Sequence, residues 1–482
     1  MAFDSNNGNF FAADTHLSLG KAAEKVGLPV ARDYNDPTAP AMGCFALDMA
    51  ISRRGQRISA FKAFLGKRVA LERRGRLTVC TGTVASRLEL DGDKGLATGV
   101  YIRSANKAGD TAEFFAKARR EVILCSGAFC TPQLLMLSGI GPRDSGKDLG
   151  IPLVKELPAV GTKLSDHYSF PIMMEMPRND TLHVLESVWA LWYLLLWILF
   201  GTGLLGASST PYSVFARTTA IDDKTMQVKV KDDRDNDTLD ASDPRNIPDL
   251  EIMVMAINTF QRPVPGRSLF TLYPTLIQPH GRGTVELASA DALAHPRVTL
   301  PMHRDERDVV STRLAVRFTM RLAEEFQNSG YPHATPLFFA PGNNLDFLTE
   351  WESSDEDAVD ANHVAPEVPA ATNMKPGTEE KKSTVTVDVK TWRDVTDDEI
   401  DEYVARVSHT SLHYAGTCAM SNDDATGVVD QQLRVHGFRN LRIADASVFP
   451  KAPSAHPMAA IMMISQRCAE FVRQDWVKTK TE

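Results

Sequence analysis

Residues 119–139 read RREVILCSGAFCTPQLLMLSG, and no other stretch restricts the fold as tightly. A short apolar run meets a small-residue turn at Ser126 and Gly127, and an apolar helical pattern follows until Gly139. Thr131 suits the N-cap of that helix and Pro132 its first position, where the missing N–H is not needed. Strand, tight turn and helix in immediate succession is the grammar of α/β domains.

Upstream, LGKAAEKVG predicts a short amphipathic helix ended by Gly27. GQRISAFKAFL predicts a second helix. A strand is expected from Leu77 to about Leu90 with a turn at Gly82, and another over GLATGVYIRS. Two segments, 221–248 and 351–392, are highly charged or polar with several prolines, and read as solvated, mobile inserts in a domain.

The formal net charge is −8, with no basic block interleaved with aromatics, which argues against nucleic acid as a partner. Six scattered cysteines form no CxxC pair, so neither a zinc site nor a disulfide framework is expected. The first twenty residues lack a basic region followed by an apolar run, so no signal peptide is read there, and the compartment stays open.

Residues 188–207, VWALWYLLLWILFGTGLLGA, carry no charge. They approach the ~20 apolar residues of a membrane span. The favoured expectation is a helix that ends at Gly201 and packs inside a domain; membrane contact is the competing one. The same stretch contains a literal GxGxxG, Gly201 to Gly206, with Asp222 and Asp223 downstream. A dinucleotide fingerprint needs a strand before it and a helix after it. A Leu- and Trp-rich run precedes it and ASSTP follows, so the match is read as accidental.

From His409 onward the chain is dense in turn and strand signals. GVVDQQLRVHGFRNLRIADASVFP predicts turn, strand, turn and strand, ending at Asp445. The carboxyl end of a strand is where α/β sheets bind ligands. KAPSAHPMAAIMMISQRC then places Pro457 at the start of a long apolar-periodic helix, whose first N–H groups are free to meet an acceptor.

This region resembles the C-terminal part of the glucose–methanol–choline (GMC) oxidoreductases. The resemblance rests on His413, GTCAM, GVVD, LRIADASVFP and His456, with the two histidines 43 residues apart. SGAFCTPQLLMLSGIGP (126–142), LPAVGTKLSDHYSFP (157–171) and PHGRGTVELASADALAHPRVTLP (279–301) are similar to other segments of that family. The family pattern is entered late: the strand, GxGxxG and helix that hold the FAD diphosphate do not precede Gly20.

The resemblance implies an incomplete Rossmann-like FAD domain plus a substrate domain with an antiparallel sheet and helices. Residues 1–167 would belong to the FAD domain and 168–408 to the substrate domain. Residues 409–482 would complete the FAD domain and the active site, within a C-terminal homology region of about 275–475. It implies FAD as cofactor, although the matched elements lack its diphosphate site. The implied reaction is oxidation of a small-molecule alcohol; an inactive remnant or a non-redox lyase is the alternative. It assigns His413 and His456 as the catalytic pair, one accepting the hydroxyl proton and the other holding the oxygen. Val84, Asp445, Ala446, Pro457 and Met458 correspond to positions along the flavin, and no metal is implied. His409 and His436 are read as structural, and Cys418 as a small buried residue.

Overall fold

Two hydrophobic cores organise the chain, and the histidine-bearing segments lie where they meet. The computed structural model describes residues 13–478 apart from 32, 107–111, 209, 211, 230–238, 241, 261–263, 265–266, 334, 336 and 344–389.

The N-terminal part runs α1 (Ala13–Lys25), β1 (Val30–Ala31), β2 (Gly43–Ala46), α2 (Ala60–Phe64), α3 (Lys67–Glu72), β3 (Thr83–Asp91), β4 (Leu96–Ser104), β5 (Phe114–Lys117), β6 (Val122–Leu124) and α4 (Gly127–Leu137). Next come β7 (Ile140–Gly141), β8 (Lys155–Glu156), β9 (Tyr168–Ser169), β10 (Ile172–Glu175), α5 (Trp189–Phe200), β11 (Tyr212–Ala216), β12 (Leu250–Met255) and β13 (Leu269–Leu276). The chain closes with β14 (Thr284–Glu286), β15 (Arg297–Thr299), α6 (Glu306–Asn328), β16 (Leu337–Phe339), α7 (Asp397–Val407), β17 (His409–Thr410), β18 (Leu441–Ile443) and α8 (Pro457–Lys478).

The larger core lies between a sheet and its helices. Among the described residues the sheet order is β1-β2-β11-β12-β13-β10-β16, with β9 pairing both β13 and β17. All of these pairs are antiparallel except β1 with β2. Helices α1, α6 and α7 bury apolar residues against it, including Ala22, Val316 and Val404. α7 starts with a reciprocal cap, Thr396 Oγ1 accepting from the Glu399 N–H and the Glu399 carboxylate from the Thr396 N–H. Residues 13–46, counted with the FAD part by the sequence reading, join this large sheet through β2 and β11.

The smaller core joins the parallel pair β6–β18, the antiparallel sheet β3-β4-β5, α4 and α8. The expected strand from Leu77 forms only from Thr83, after a turn at Gly82. Helix α4 begins at Gly127, so Thr131 is not its N-cap and Pro132 lies inside it. The proline leaves the Ala128 carbonyl without its usual donor four residues on. Thr417 Oγ1 donates to that carbonyl at 2.6 Å. Thr131 instead donates its hydroxyl to Asp445 Oδ2 at 2.6 Å.

The described part of the first charged insert is folded, contrary to its charge pattern. Ile221 bridges Val228, the Val228 N–H donates to the Val26 carbonyl of the loop after α1, and Met226 is buried. These three apolar side chains dock the described part, and the Asp222 carboxylate is held by the Lys224 and Thr225 N–H groups and by Lys229. The second expected insert, 351–392, lies outside the described residues except for 390–392, where Trp392 is buried. Of residues 188–207, the helix Trp189–Phe200 does not pack inside the domain, whereas Leu204 after it is buried. α5 has apolar residues on every side, and only one of its faces finds protein to cover it. No described helix is long and apolar enough to cross a membrane. Gly201, at φ +68°, caps the C-terminus of α5, so the GxGxxG match is a turn after a helix and not a phosphate loop.

Candidate active site

The ladder between β9 and β17 pins the segment that carries His413. Tyr168 pairs Thr410, Ser169 pairs His409, and Ser165 and Ala415 exchange both backbone hydrogen bonds at 2.9 Å. Between these ties the Asp166 carboxylate accepts the His413 N–H at 2.8 Å and the Thr410 hydroxyl. Leu412, next to His413, is 73% exposed and holds φ +60°, a conformation that costs a non-glycine residue about 1–2 kcal/mol. The close tie of Asp166 to residues 410 and 413 holds it there.

His456 arrives from a different element. It stands immediately before Pro457, the first residue of α8. Gln278 anchors the approach by donating to the Ala452 carbonyl at 2.6 Å. The rings of His413 and His456 lie with centroids 5.0 Å apart at 53°. The structure therefore brings the two predicted histidines together. His456 Nε2 is 3.1 Å from Oε1 of Glu251, and His413 Nδ1 is 3.0 Å from Nδ1 of His167. His413 Nε2 and His456 Nδ1 have no protein partner among the described residues.

His167 and Glu251 were not predicted. His167 lies inside LSDHYSFP, where the Asp-His pair was matched as a segment without a role. Glu251 is an acidic residue in the apolar strand LEIMVM, and that misfit is the signal that could have exposed it. Its side chain is 1% accessible, and Ser213 Oγ donates to Oε1 at 2.8 Å.

Burial lowers all three imidazoles, and Glu251 sets His456 apart from the other two. His413 falls to about 4, first through burial and then through the neighbouring His456, with Glu251 pulling the other way. His167 falls to about 3 through burial and the two other histidines. For His456, whose side chain is 46% exposed, partial loss of hydration opposes the charge, but the hydrogen bond and charge of Glu251 outweigh it and raise the group above its ordinary value. Burial lifts Asp166 to about 6 against its three hydrogen bonds.

The other predicted positions gather less uniformly. Asp445 caps the turn Ala446–Val448; its carboxylate accepts from the Gly127 N–H at 2.9 Å, the Ser447 N–H at 2.8 Å and the Thr131 hydroxyl. That carboxylate is buried and ties the β6–α4 turn to the turn after β18. Ala446 is buried, and its carbonyl accepts the Gly416 N–H. Met458 is 50% exposed at the start of α8, behind Pro457. Val84 stands apart, on β3 of the three-stranded sheet, opposite Arg103.

A flavin fits the described residues at one end. Gly127, at φ +80°, follows β6, and a Cβ there would meet nothing within 4 Å. The exposed first turn of α8 presents backbone N–H groups that no helical carbonyl can satisfy. Both features lie at the carboxyl side of the β6–β18 pair, where α/β sheets bind cofactors.

The antiparallel sheet with its helices and the parallel β6–β18 pair are shared with FAD-dependent oxidoreductases of known structure. The chain belongs to the GMC oxidoreductase family, whose models match residues 13–169 and 279–465. It is 28% identical over 461 residues to a dehydrogenase of Strobilurus tenacellus, covering 93% of this chain and 66% of that protein. It is 27% identical over 454 residues to an oxygen-dependent choline dehydrogenase of Burkholderia ambifaria, covering 94% and 65%. The chain thus spans about two thirds of the length of these relatives. Formate oxidase of Aspergillus oryzae shares the fold at a TM-score of 0.73 and 22% identity, with 98% of this chain and 71% of that one covered. A fungal aryl-alcohol oxidase does so at 0.69 and 20%, with 97% and 72% covered.

Proposed function

We propose that the protein is an FAD-dependent oxidoreductase acting on the CH–OH group of a small alcohol, with His413 as proton acceptor and His456 as the group that holds the alcohol oxygen. The meeting of His413 and His456 at the first turn of α8 carries this reading. Bound FAD would supply the two-electron acceptor for the hydride of the alcohol carbon.

The division of labour follows from the charges the two rings carry. His413, lowered to about 4, is neutral at physiological pH, and in the tautomer whose Nδ1–H donates to His167 its Nε2 lone pair is free for the hydroxyl proton. The contact with His167 turns the ring so that Nδ1 is occupied and Nε2 is not. His456 is biased toward the cation by Glu251 and can donate from Nδ1 to the oxygen as negative charge grows on it. Environments that push two like groups apart in basicity are how acid and base roles are divided. Tyr273, hydrogen-bonded to His409, and the Ser169–Ser411 and Ser169–Thr275 hydroxyl pairs stiffen the wall behind the pair.

The test is anaerobic mixing of the flavin-loaded protein with a panel of primary alcohols, read at the flavin absorbance. Bleaching by an alcohol, slowed by a factor of about 10²–10⁴ in His413→Ala, supports the reading. Retained flavin that no alcohol bleaches, while a cyanohydrin is cleaved, would transfer the same histidines to a lyase reaction.

A further inference from the structure

We propose that the face built by α5 and the Ser52–Arg57 turn is a docking surface for an anionic lipid bilayer, in which the helix lies along the membrane interface without crossing it. Twelve residues of helix reach about 18 Å, against about 30 Å of hydrocarbon.

The helix is covered on one side only. Ala190, Tyr193 and Trp197 recur at helical spacing and are partly buried with Leu196. Trp197 Nε1 donates to the Gly55 carbonyl at 2.9 Å, and a Cβ at Gly203 would meet Leu196 and Tyr193. The opposite side is open to solvent: Leu191 is 69% exposed, Ile198 62% and Leu199 66%. Trp189 and Trp192 stand among them, more than half exposed. Tryptophan at the border of an apolar strip favours the headgroup level of a bilayer.

The second observation is charge. Although the protein is net acidic, the turn packed against the end of α5 carries Arg53, Arg54 and Arg57. All three are exposed, and none has an acidic partner among the described residues. A Cβ on Gly201 would lie 2.7 Å from the Arg54 Cα, so turn and helix end are in direct contact. The following α2 adds Lys62 between the exposed Phe61 and Phe64. Uncompensated cations bordering an exposed apolar and aromatic face match a surface of acidic headgroups over acyl chains. A second copy of this net-acidic chain offers no such match at the same face.

The experiment is flotation of the purified chain with vesicles of phosphatidylcholine alone and of phosphatidylcholine mixed with phosphatidylserine. Binding to the mixed vesicles is expected to be at least tenfold tighter and to weaken in high salt. Leu195→Asp with Ile198→Asp, both on the open side, should abolish flotation. Arg53→Glu with Arg57→Glu should erase the preference for phosphatidylserine while leaving the lipid-free protein folded. Quenching of tryptophan emission by lipids brominated near the headgroup should accompany binding. Absence of flotation at low salt overturns the proposal. So does a concentration-dependent dimer in light scattering that Leu195→Asp dissolves, since the face would then belong to a second copy.

Discussion

Nδ1 of His413 lies 3.0 Å from Nδ1 of His167, so one proton lies between a fully buried imidazole and a partly buried one. Whichever ring holds it, neither can take up a second proton without placing a cation against its neighbour. That relationship, together with burial, keeps the centre of the site neutral while Glu251 draws positive charge to His456 at its rim.

Acid should therefore unfold the protein earlier than its carboxylates alone would. The folded values of His413 and His167, about 4 and about 3, lie below the ordinary imidazole value. Their contribution to stability is complete above pH ~6.5 and is lost as pH falls toward those values, at up to about 1.4 kcal/mol per pH unit and group. Asp166, raised to about 6, acts in the opposite sense and makes the fold relatively stronger as pH falls from ~6 to ~4. Urea midpoints measured between pH 7 and 4 should fall, with a shallower slope in His413→Asn. An unchanged slope in that variant would falsify the buried neutral state of His413.

Glu251→Gln should lower the basicity of His456, because burial then acts without its counter-charge. For His456 the folded value is raised, so its stabilising contribution is present below pH ~6.5 and disappears as pH rises through the folded value. In the flavin-loaded protein the alkaline limb of the reduction rate should move to lower pH in Glu251→Gln, and the acid limb, set by His413, should move in the same direction by less, because Glu251 acts on His413 by charge alone. A larger movement of the acid limb instead would exchange the roles of the two histidines.

Arg442 is fully buried and donates to Glu121 at 2.7 Å, to Asp475 at 2.5 Å and to the Gln432 carbonyl at 2.6 Å. It locks α8 to the β6–β18 pair, and Trp476 completes the lock by donating to Glu121 at 2.8 Å. Arg442→Leu leaves the buried Glu121 without its counter-ion, with the Trp476 N–H still donating to it, and should cost about 3–5 kcal/mol by denaturant titration. A double change, Arg442→Leu with Glu121→Gln, should recover part of that loss.

Thr417→Val removes the hydroxyl that serves the Ala128 carbonyl and should destabilise by about 1–3 kcal/mol. Pro132→Ala restores the helical donor, so the double variant Thr417→Val/Pro132→Ala should be more stable than Thr417→Val alone. Strict additivity of the two changes would show that the carbonyl has no need of Thr417.

Local signals in the chain determined the β6–turn–α4 unit, α1 ending at Gly27, the long last helix from Pro457 and the two histidines, because each rests on residues adjacent in sequence. The family likeness joined His413 to His456 across 43 residues. Tertiary structure alone decided which partners those rings meet. Glu251 reaches His456 through the pairing of β11, β12 and β13, and His167 reaches His413 through that of β9 and β17. No spacing encodes a contact made across strands whose order is set by burying both faces of a sheet. The same cause explains α5. Its composition dictates an apolar helix, but whether it is covered depends on how much protein surface the rest of the fold brings to it, and here that is one face.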